Sequence, residues 1–287
     1  MLKIDKLTKY YGKIKGIENL SLELNEGEIF GFIGPNGAGK STTIKCIMNL
    51  INKNSGDIYI DGKINSKDDL ELKEIIGYLP SEISLYDDMT VKQILDYNAQ
   101  FYKKDTSLKR KELVTKFQLD ESKKVEQLSL GNLKKLGIVL ALVHDPKLII
   151  LDEPTSGLDP IMQDVFYNIL KEEREKGNTI FYSTHILSEI KKICDRVGII
   201  KDGNLIKVET LKEMKNNNLV IVTIKSRKIA NIKIELKFKI LEETEEEIKI
   251  LYNDDINKLI KLLECYNLEK LLIEELSIED MFIHYYK

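Results

Sequence analysis

The sequence predicts an α/β fold: a largely parallel sheet flanked by helices, with an antiparallel β region, a helical subdomain and a small C-terminal α+β domain. Two observations carry this. In "IFGFIGPNGAGKSTTIKCIMNLI" the apolar run Ile29 to Ile33 reads as a short buried strand. A glycine-rich turn comes next, and then Ile44, Ile47, Met48 and Ile51 recur at helical spacing. Further along, "KLIILDEP", a helical pattern near 161–176, "NTIFYSTH", a second helical pattern and "RVGIIKDG" alternate strand with helix. That order builds parallel sheets.

The first twenty-five or so residues alternate as strands and end in "LSLELNEGE". "SGDIYIDGK" reads as a hairpin with Asp61-Gly62 at its turn. "TVKQILDYNAQFY" opens a helix with Thr90 and Gln93 as a capping box and Val91, Ile94, Leu95 and Phe101 as its apolar positions. A second helix is expected over about 107–118. In "LSLGN", Ser129 reads as the N-cap of a helical run from Leu133 to His144. Residues 88–145 are therefore expected to be mostly helical. After about residue 217 the pattern changes. "NIKIELKFKI" sets Ile232, Ile234, Leu236, Phe238 and Ile240 on one face and charged residues on the other, a half-buried antiparallel strand. "EETEEE" is expected to turn it into "IKILY"; a helix over about 255–266, the strand "LEKLLIEE" and a capped helix from Ser277 complete the chain. The expected division is a nucleotide-handling domain over 1–217 and an accessory α+β domain over 218–287.

Composition narrows the function classes. At 287 residues the chain can bury a sizeable core, and a net charge of −3 with 32% charged residues describes a soluble surface rather than a nucleic-acid face. No nucleic-acid partner is expected. Cys46, Cys194 and Cys265 lack metal-ligand spacing and suggest a reducing compartment. Charges interrupt the apolar runs of the N-terminus, and no segment approaches the roughly 18–20 apolar residues that span a bilayer. The expected location is cytoplasmic, or at a membrane only through a partner.

The chemistry begins at "GPNGAGKS", Gly34, Pro35, Asn36, Gly37, Ala38, Gly39, Lys40 and Ser41, with Thr42 next. Glycines at this spacing let successive backbone N–H groups converge on a phosphate chain. Lys40 reaches the β/γ-phosphates, the Ser41 hydroxyl can hold Mg²⁺, and the helix N-terminus adds its dipole. The fold class becomes an α/β P-loop NTPase. In "KLIILDEP", Asp152 and Glu153 arrive as a strand ends, where a parallel sheet borders its ligand crevice. Asp152 can orient the metal shell, and Glu153 can polarise a water. His185 ends "TIFYSTH" at the same edge and is placed to contact a γ-phosphate. His144 and His284 read as structural.

The order of P-loop, "LSLGN", "LIILDEPTSGLDP" and "STH" resembles the nucleotide-binding domain of ATP-binding cassette (ABC) proteins over roughly residues 1–215. The resemblance implies ATP and Mg²⁺ as cofactors, Glu153 as general base, His185 as switch histidine and Tyr11 as the ring that stacks on adenine, with Tyr10 the weaker candidate. It implies that Ser129, Gly131 and Asn132 cap ATP held by a second copy of the chain in a head-to-tail dimer, and that Asp159 lies in the loop communicating between sites. It also implies an integral-membrane permease as partner, a peripheral position on the inner face of the membrane, and export, as in bacterial antibiotic and peptide exporters. The alternative is a soluble ABC-type ATPase acting on ribosome or DNA. Such relatives usually carry paired cassettes, a long coiled-coil insertion or zinc-binding cysteines, none of which is found. Two departures stand out. Leu130 and Asn132 replace a glycine and a glutamine of the family signature, and Ser81 stands where the family's metal-contacting glutamine is expected.

Overall fold

The computed structural model describes residues 1–216, 220–226, 239–252 and 254–275. Contacts divide the chain into two compact units, Met1–Leu211 and Lys212–Lys287. This division lies ahead of the expected one at 217.

The first unit opens with two long strands, β1 (Leu2–Tyr11) and β2 (Ile14–Leu24), and continues into β3 (Ile29–Ile33), buried at all five positions. The glycine loop leads into α1 (Lys40–Ile47). The hairpin of β4 (Ser55–Ile60) and β5 (Lys63–Ile64) turns through Asp61 and Gly62, at φ 51° and 74°. Two consecutive positive φ values match the twist of paired strands, which is why Asp-Gly is readable as a turn. A short α2 (Leu70–Glu74) precedes β6 (Ile76–Leu79).

The helical stretch holds α3 (Val91–Ala99), α4 (Ser107–Phe117) and α5 (Leu130–Leu142). Both bonds of the Thr90/Gln93 capping box are made, at 3.2 and 2.8 Å. The expectation for Phe101 fails: α3 stops at Ala99, so Phe101 lies beyond its apolar face and is 61% exposed. The α5 helix also starts earlier than Leu133. Ser129 caps it by accepting the Asn132 N–H at 3.3 Å, which draws Gly131 and Asn132 into the first turn.

Helices alternate with strands through β7 (Leu148–Asp152), α6 (Pro160–Glu175), β8 (Thr179–Thr184), α7 (Leu187–Ile193), β9 (Arg196–Lys201) and β10 (Asn204–Thr210). The main sheet has the order β10-β9-β3-β8-β7-β6, parallel except for the edge strand β10. An antiparallel sheet, β2-β1-β4-β5, accompanies it. Phe30, Phe32, Phe181, Ile44, Ile47 and Ile150 share one apolar core with Leu2, Leu20 and Ile58 of the antiparallel sheet. Because β3, β6, β7 and β8 run the same way, the residues just past their C-terminal ends emerge at one edge. That edge carries the site.

His144 is structural, as expected. Its ring stacks on Tyr102 at 4.0 Å and 7°, and its Nε2–H donates to the Ile76 carbonyl at 3.1 Å. Nδ1 is buried with no hydrogen-bond partner, and burial lowers the group from 6.5 to about 4. The folded state thus holds His144 neutral while the unfolded chain takes up a proton below about 6.5. The stability this contributes is full above that pH and is lost as pH falls toward 4, by about 3 kcal/mol at most. Denaturant melts of the parent and of His144→Gln across this window are expected to show the slope largely removed in the variant.

The second unit is its own small α+β body. After α8 (Leu211–Asn216) come β11 (Val220–Lys225), β12 (Lys239–Glu243), β13 (Glu247–Tyr252), α9 (Ile256–Leu263) and β14 (Lys270–Glu275). The strands form an antiparallel sheet in the order β12-β13-β11-β14. Val222, Ile224, Ile248 and Ile250 pack with Leu259 and Leu263 of α9. The acidic run turns between β12 and β13, as expected. Residues 231–238 of the expected alternating strand, and the helix from Ser277 with His284, lie outside the described residues. Among the described residues no helix is long and apolar enough to cross a membrane.

Candidate active site

The loop from Gly34 to Gly39 leaves β3 and turns back into α1. Gly37 and Gly39 sit at φ 80° and 108°, where a side chain is strained, and a Cβ on Gly39 would lie 2.7 Å from the Gly16 carbonyl. The loop is pinned by the Ala38 N–H donating to Pro35 O at 3.1 Å, with Ala38 itself buried. Lys40 Nζ donates to Gly34 O at 2.7 Å and Pro35 O at 3.2 Å and stands 3.4 Å from Glu153 Oε1. The ammonium is thus held across the mouth of the loop. Gly34, Pro35 and Ala38 shape this arrangement, whereas Asn36, Gly37, Gly39, Lys40, Ser41 and Thr42 line an open cavity of about 400 Å³.

The opposite wall comes from the strand ends. Glu153 succeeds β7 at φ 49°, an uncommon conformation for a residue with a side chain, and its N–H donates to Ser183 O at 3.0 Å. That turn swings its carboxylate between two cationic or proton-bearing groups: Lys40 on one oxygen and His185 Nδ1, at 2.9 Å, on the other. His185, after β8, is half exposed and lines the cavity with Glu153. Behind them Glu189 is buried and accepts from Tyr182 Oη at 3.0 Å, Thr184 Oγ1 at 2.6 Å and the Thr155 hydroxyl. This ties the segment after Glu153 to the residue before His185.

Asp152 is almost fully buried, with Oδ1 accepting from Ser183 Oγ at 3.0 Å. Its carboxylate and the Ser41 hydroxyl are hard oxygen donors that suit Mg²⁺. Among the described residues no three His, Cys, Asp or Glu side chains gather as a metal cage. Both donors are of the kind the ion takes, Ser41 on the cavity wall and Asp152 buried and not part of that lining.

Sequence reasoning left Ser156 and Lys134 unnoticed. Ser156 lines the cavity with Ser81 and Glu82. Lys134, only 5% exposed, donates from Nζ to Ser81 O at 2.9 Å and Glu153 O at 3.4 Å. Burial lowers its pKa, opposed by the charges of Asp152 and Glu153. The signal for it in the sequence is a charge inside the apolar helical run "LKKLGIVLALV".

Other expected residues are not among those that line this cavity. Tyr11 is 46% exposed, with its hydroxyl 3.5 Å from Thr42 Oγ1 and the Lys9 ammonium 5.0 Å from its ring centroid. The Tyr10 hydroxyl is taken by Glu18 at 2.6 Å. Leu130 and Ser129 are both exposed, and Gly131 abuts the loop before Asp159: a Cβ there would lie 2.8 Å from Gly157 O. Asp159 caps α6 by accepting the Met162 N–H at 2.9 Å. Ser129, Gly131, Asn132 and Asp159 therefore form a second group, apart from the cavity of their own chain.

A phosphate loop facing an acidic strand end in this way defines a P-loop nucleotide-binding cassette. The family model described as ABC transporter matches residues 17–156. The chain is 32% identical over 283 residues to the uncharacterized ABC transporter ATP-binding protein MJ1023 of Methanocaldococcus jannaschii, covering 96% of this chain and 98% of that one. It is 39% identical over 225 residues to the bacitracin transport ATP-binding protein BcrA of Bacillus licheniformis, covering 76% and 72%. A dimeric post-hydrolysis structure of the cassette MJ0796 bound to ADP and Pi superposes with a TM-score of 0.67 at 29% identity, covering 74% of this chain and 99% of that one. The chain belongs to the ABC transporter ATP-binding proteins. It is an ATPase.

Proposed function

We propose that this chain is the ATP-hydrolysing subunit of a membrane exporter, acting as a head-to-tail dimer that drives a separate integral-membrane permease. One observation carries the reading: the capped end of α5 at Ser129 is open to solvent and does not line the chain's own cavity. A helix N-terminus with free N–H groups is a ready anion site, and here it stands apart from the phosphate loop of its own chain. Two copies placed head to tail bring each Ser129 end to the other's loop. The dimeric state of the MJ0796 cassette bound to ADP and Pi supports pairing of two copies.

Within each composite site, the Glu153 carboxylate accepts a proton from the attacking water, Lys40 binds the terminal phosphates, and His185 holds Glu153 and faces the same phosphate. Ser41 and Asp152 would hold Mg²⁺, which supplies charge neutralisation at phosphate oxygens. The exposed Tyr11 ring offers a face to the adenine. Export rests on similarity to the bacitracin transport protein. The permease reading is supported by a groove of about 500 Å³ in which Leu85, Tyr86, Tyr97 and Phe101 stand beside the polar Ser84 and Asn98, with three of its rings exposed. Peripheral attachment to the inner face of the membrane is the consequence of that docking.

A mixing experiment tests the shared site. Lys40→Ala and Ser129→Arg, each inactive alone, are expected to recover about a quarter of parental turnover when combined, because half the random dimers retain one intact site of two. Dimers that form without any recovery would overturn the composite site. For the partner, a tagged chain recovered from native cells is expected in membranes with a polytopic protein. Recovery with ribosomes or DNA instead would leave the ATP chemistry standing and overturn the transport role.

A further inference from the structure

We propose that Lys134 is a positioning residue for hydrolysis: its ammonium locks the outward end of α5 to the two strand ends that frame the cavity. The reading rests on Glu153 being the base. Ser81 and Glu153 lie just past β6 and β7, which pair in parallel through Ile76–Leu148 to Leu79–Leu151. The Lys134 ammonium crosses that seam and donates to the Ser81 carbonyl at 2.9 Å and the Glu153 carbonyl at 3.4 Å. The Glu153 backbone is in the left-handed region, so its carbonyl and carboxylate directions are linked through one strained turn. A donor on that carbonyl therefore helps set where the carboxylate points.

The other end of the linkage is equally constrained. Lys134 lies little more than one turn from Ser129, the N-cap of the same helix. The helix rests on β6 without slack: a Cβ on Gly77 would lie 2.0 Å from Ala141 O, and one on Gly137 would lie 2.8 Å from Leu79 Cδ1 and 2.4 Å from Ile83 Cδ1. Tightly packed interiors have low compressibility and transmit strain. Movement of the Ser129 end, when it meets a second copy, is therefore carried to Ser81 and Glu153 through a buried cation. A leucine or methionine would fill the same volume with less desolvation, so the retained charge calls for a role beyond packing.

The test compares parent, K134M, K134Q and E153Q as full chains. Melting temperature, ATP affinity and steady-state ATP turnover per nucleotide-binding site are measured, the sites being counted by titration. K134M is expected to lower kcat about tenfold or more with KM for ATP changed less than about twofold. K134Q keeps an N–H donor on a shorter, uncharged arm and is expected to fall between, at least about threefold below parent. Turnover per site in K134M within twofold of parent, or a higher KM at unchanged kcat, would overturn the proposal. Where K134M fails to fold, K134Q decides: parental kcat overturns the role, and a lower kcat at unchanged KM supports it. Parental turnover in E153Q would instead remove Glu153 as the base, a failure separate from that of Lys134.

Discussion

Glu153→Gln is expected to bind ATP as well as the parent or better, to lose turnover by about a thousandfold, and to accumulate as an ATP-bound dimer. The amide is nearly isosteric with the carboxylate but cannot accept a proton, and loss of a general base typically costs about 10²–10⁴ in rate. Binding survives because the substitution removes a negative charge from a cavity meant for phosphates and releases Lys40 from its 3.4 Å pairing. With the water no longer activated, nucleotide stays in the sandwich, and the dimer persists on a sizing column. Normal hydrolysis by this variant would show that another group accepts the proton.

Lys40→Ala is expected to have the second largest effect, and at an earlier step. Its ammonium holds the Gly34 and Pro35 carbonyls and faces Glu153, while being only 6% exposed. Removing it takes a charge-assisted donor from the phosphates, worth about 1.5–3 kcal/mol, and leaves the Glu153 carboxylate facing the incoming anion with less compensation. ATP affinity should fall about fiftyfold or more, at about 1.4 kcal/mol per factor of ten. Titration with a fluorescent ATP analogue on the folded variant measures this directly. Unchanged affinity would mean that the backbone N–H groups of the loop suffice and that the lysine acts only in turnover. The two variants separate binding from chemistry: one holds nucleotide without cleaving it, and the other fails to hold it.

Much of this architecture is readable along the chain because its signals are local. The glycines at 37 and 39 mark left-handed backbone, a conformation set by near neighbours alone. Thr90 and Gln93 form a box across three residues, and Asp61-Gly62 closes a hairpin across two. The apolar runs of β3, β7 and β8 are buried throughout, so they read as continuous strings with no polar face to obscure them. Hence Lys40, Glu153 and His185 can be assigned to one edge from the chain alone: parallel strands point their C-terminal ends, and the loops attached there, to the same side of the sheet.

No local pattern contains the encounter of distant segments. Glu153 takes Lys40 and His185 on its two oxygens only because β3, β8 and β7 lie side by side in that order. Gly131 stands in the first turn of α5 despite its weak helix propensity, and a side chain in its place would meet the carbonyl of Gly157, 26 residues away along the chain. Phe101, apolar and at helical spacing, falls outside α3 because the helix ends two residues earlier. Along the chain Lys134 is a charge beside Lys135 in an apolar helical run, and only the seam between β6 and β7 brings two carbonyls to its ammonium. The order of residues alone determines the phosphate loop, the strand alternation and the chemistry at hand, since backbone conformation and periodicity are near-neighbour properties. Strand order and helix packing decide which groups meet, which charge is buried, and that the Ser129 end faces outward, since these depend on long-range contacts that a linear pattern does not encode.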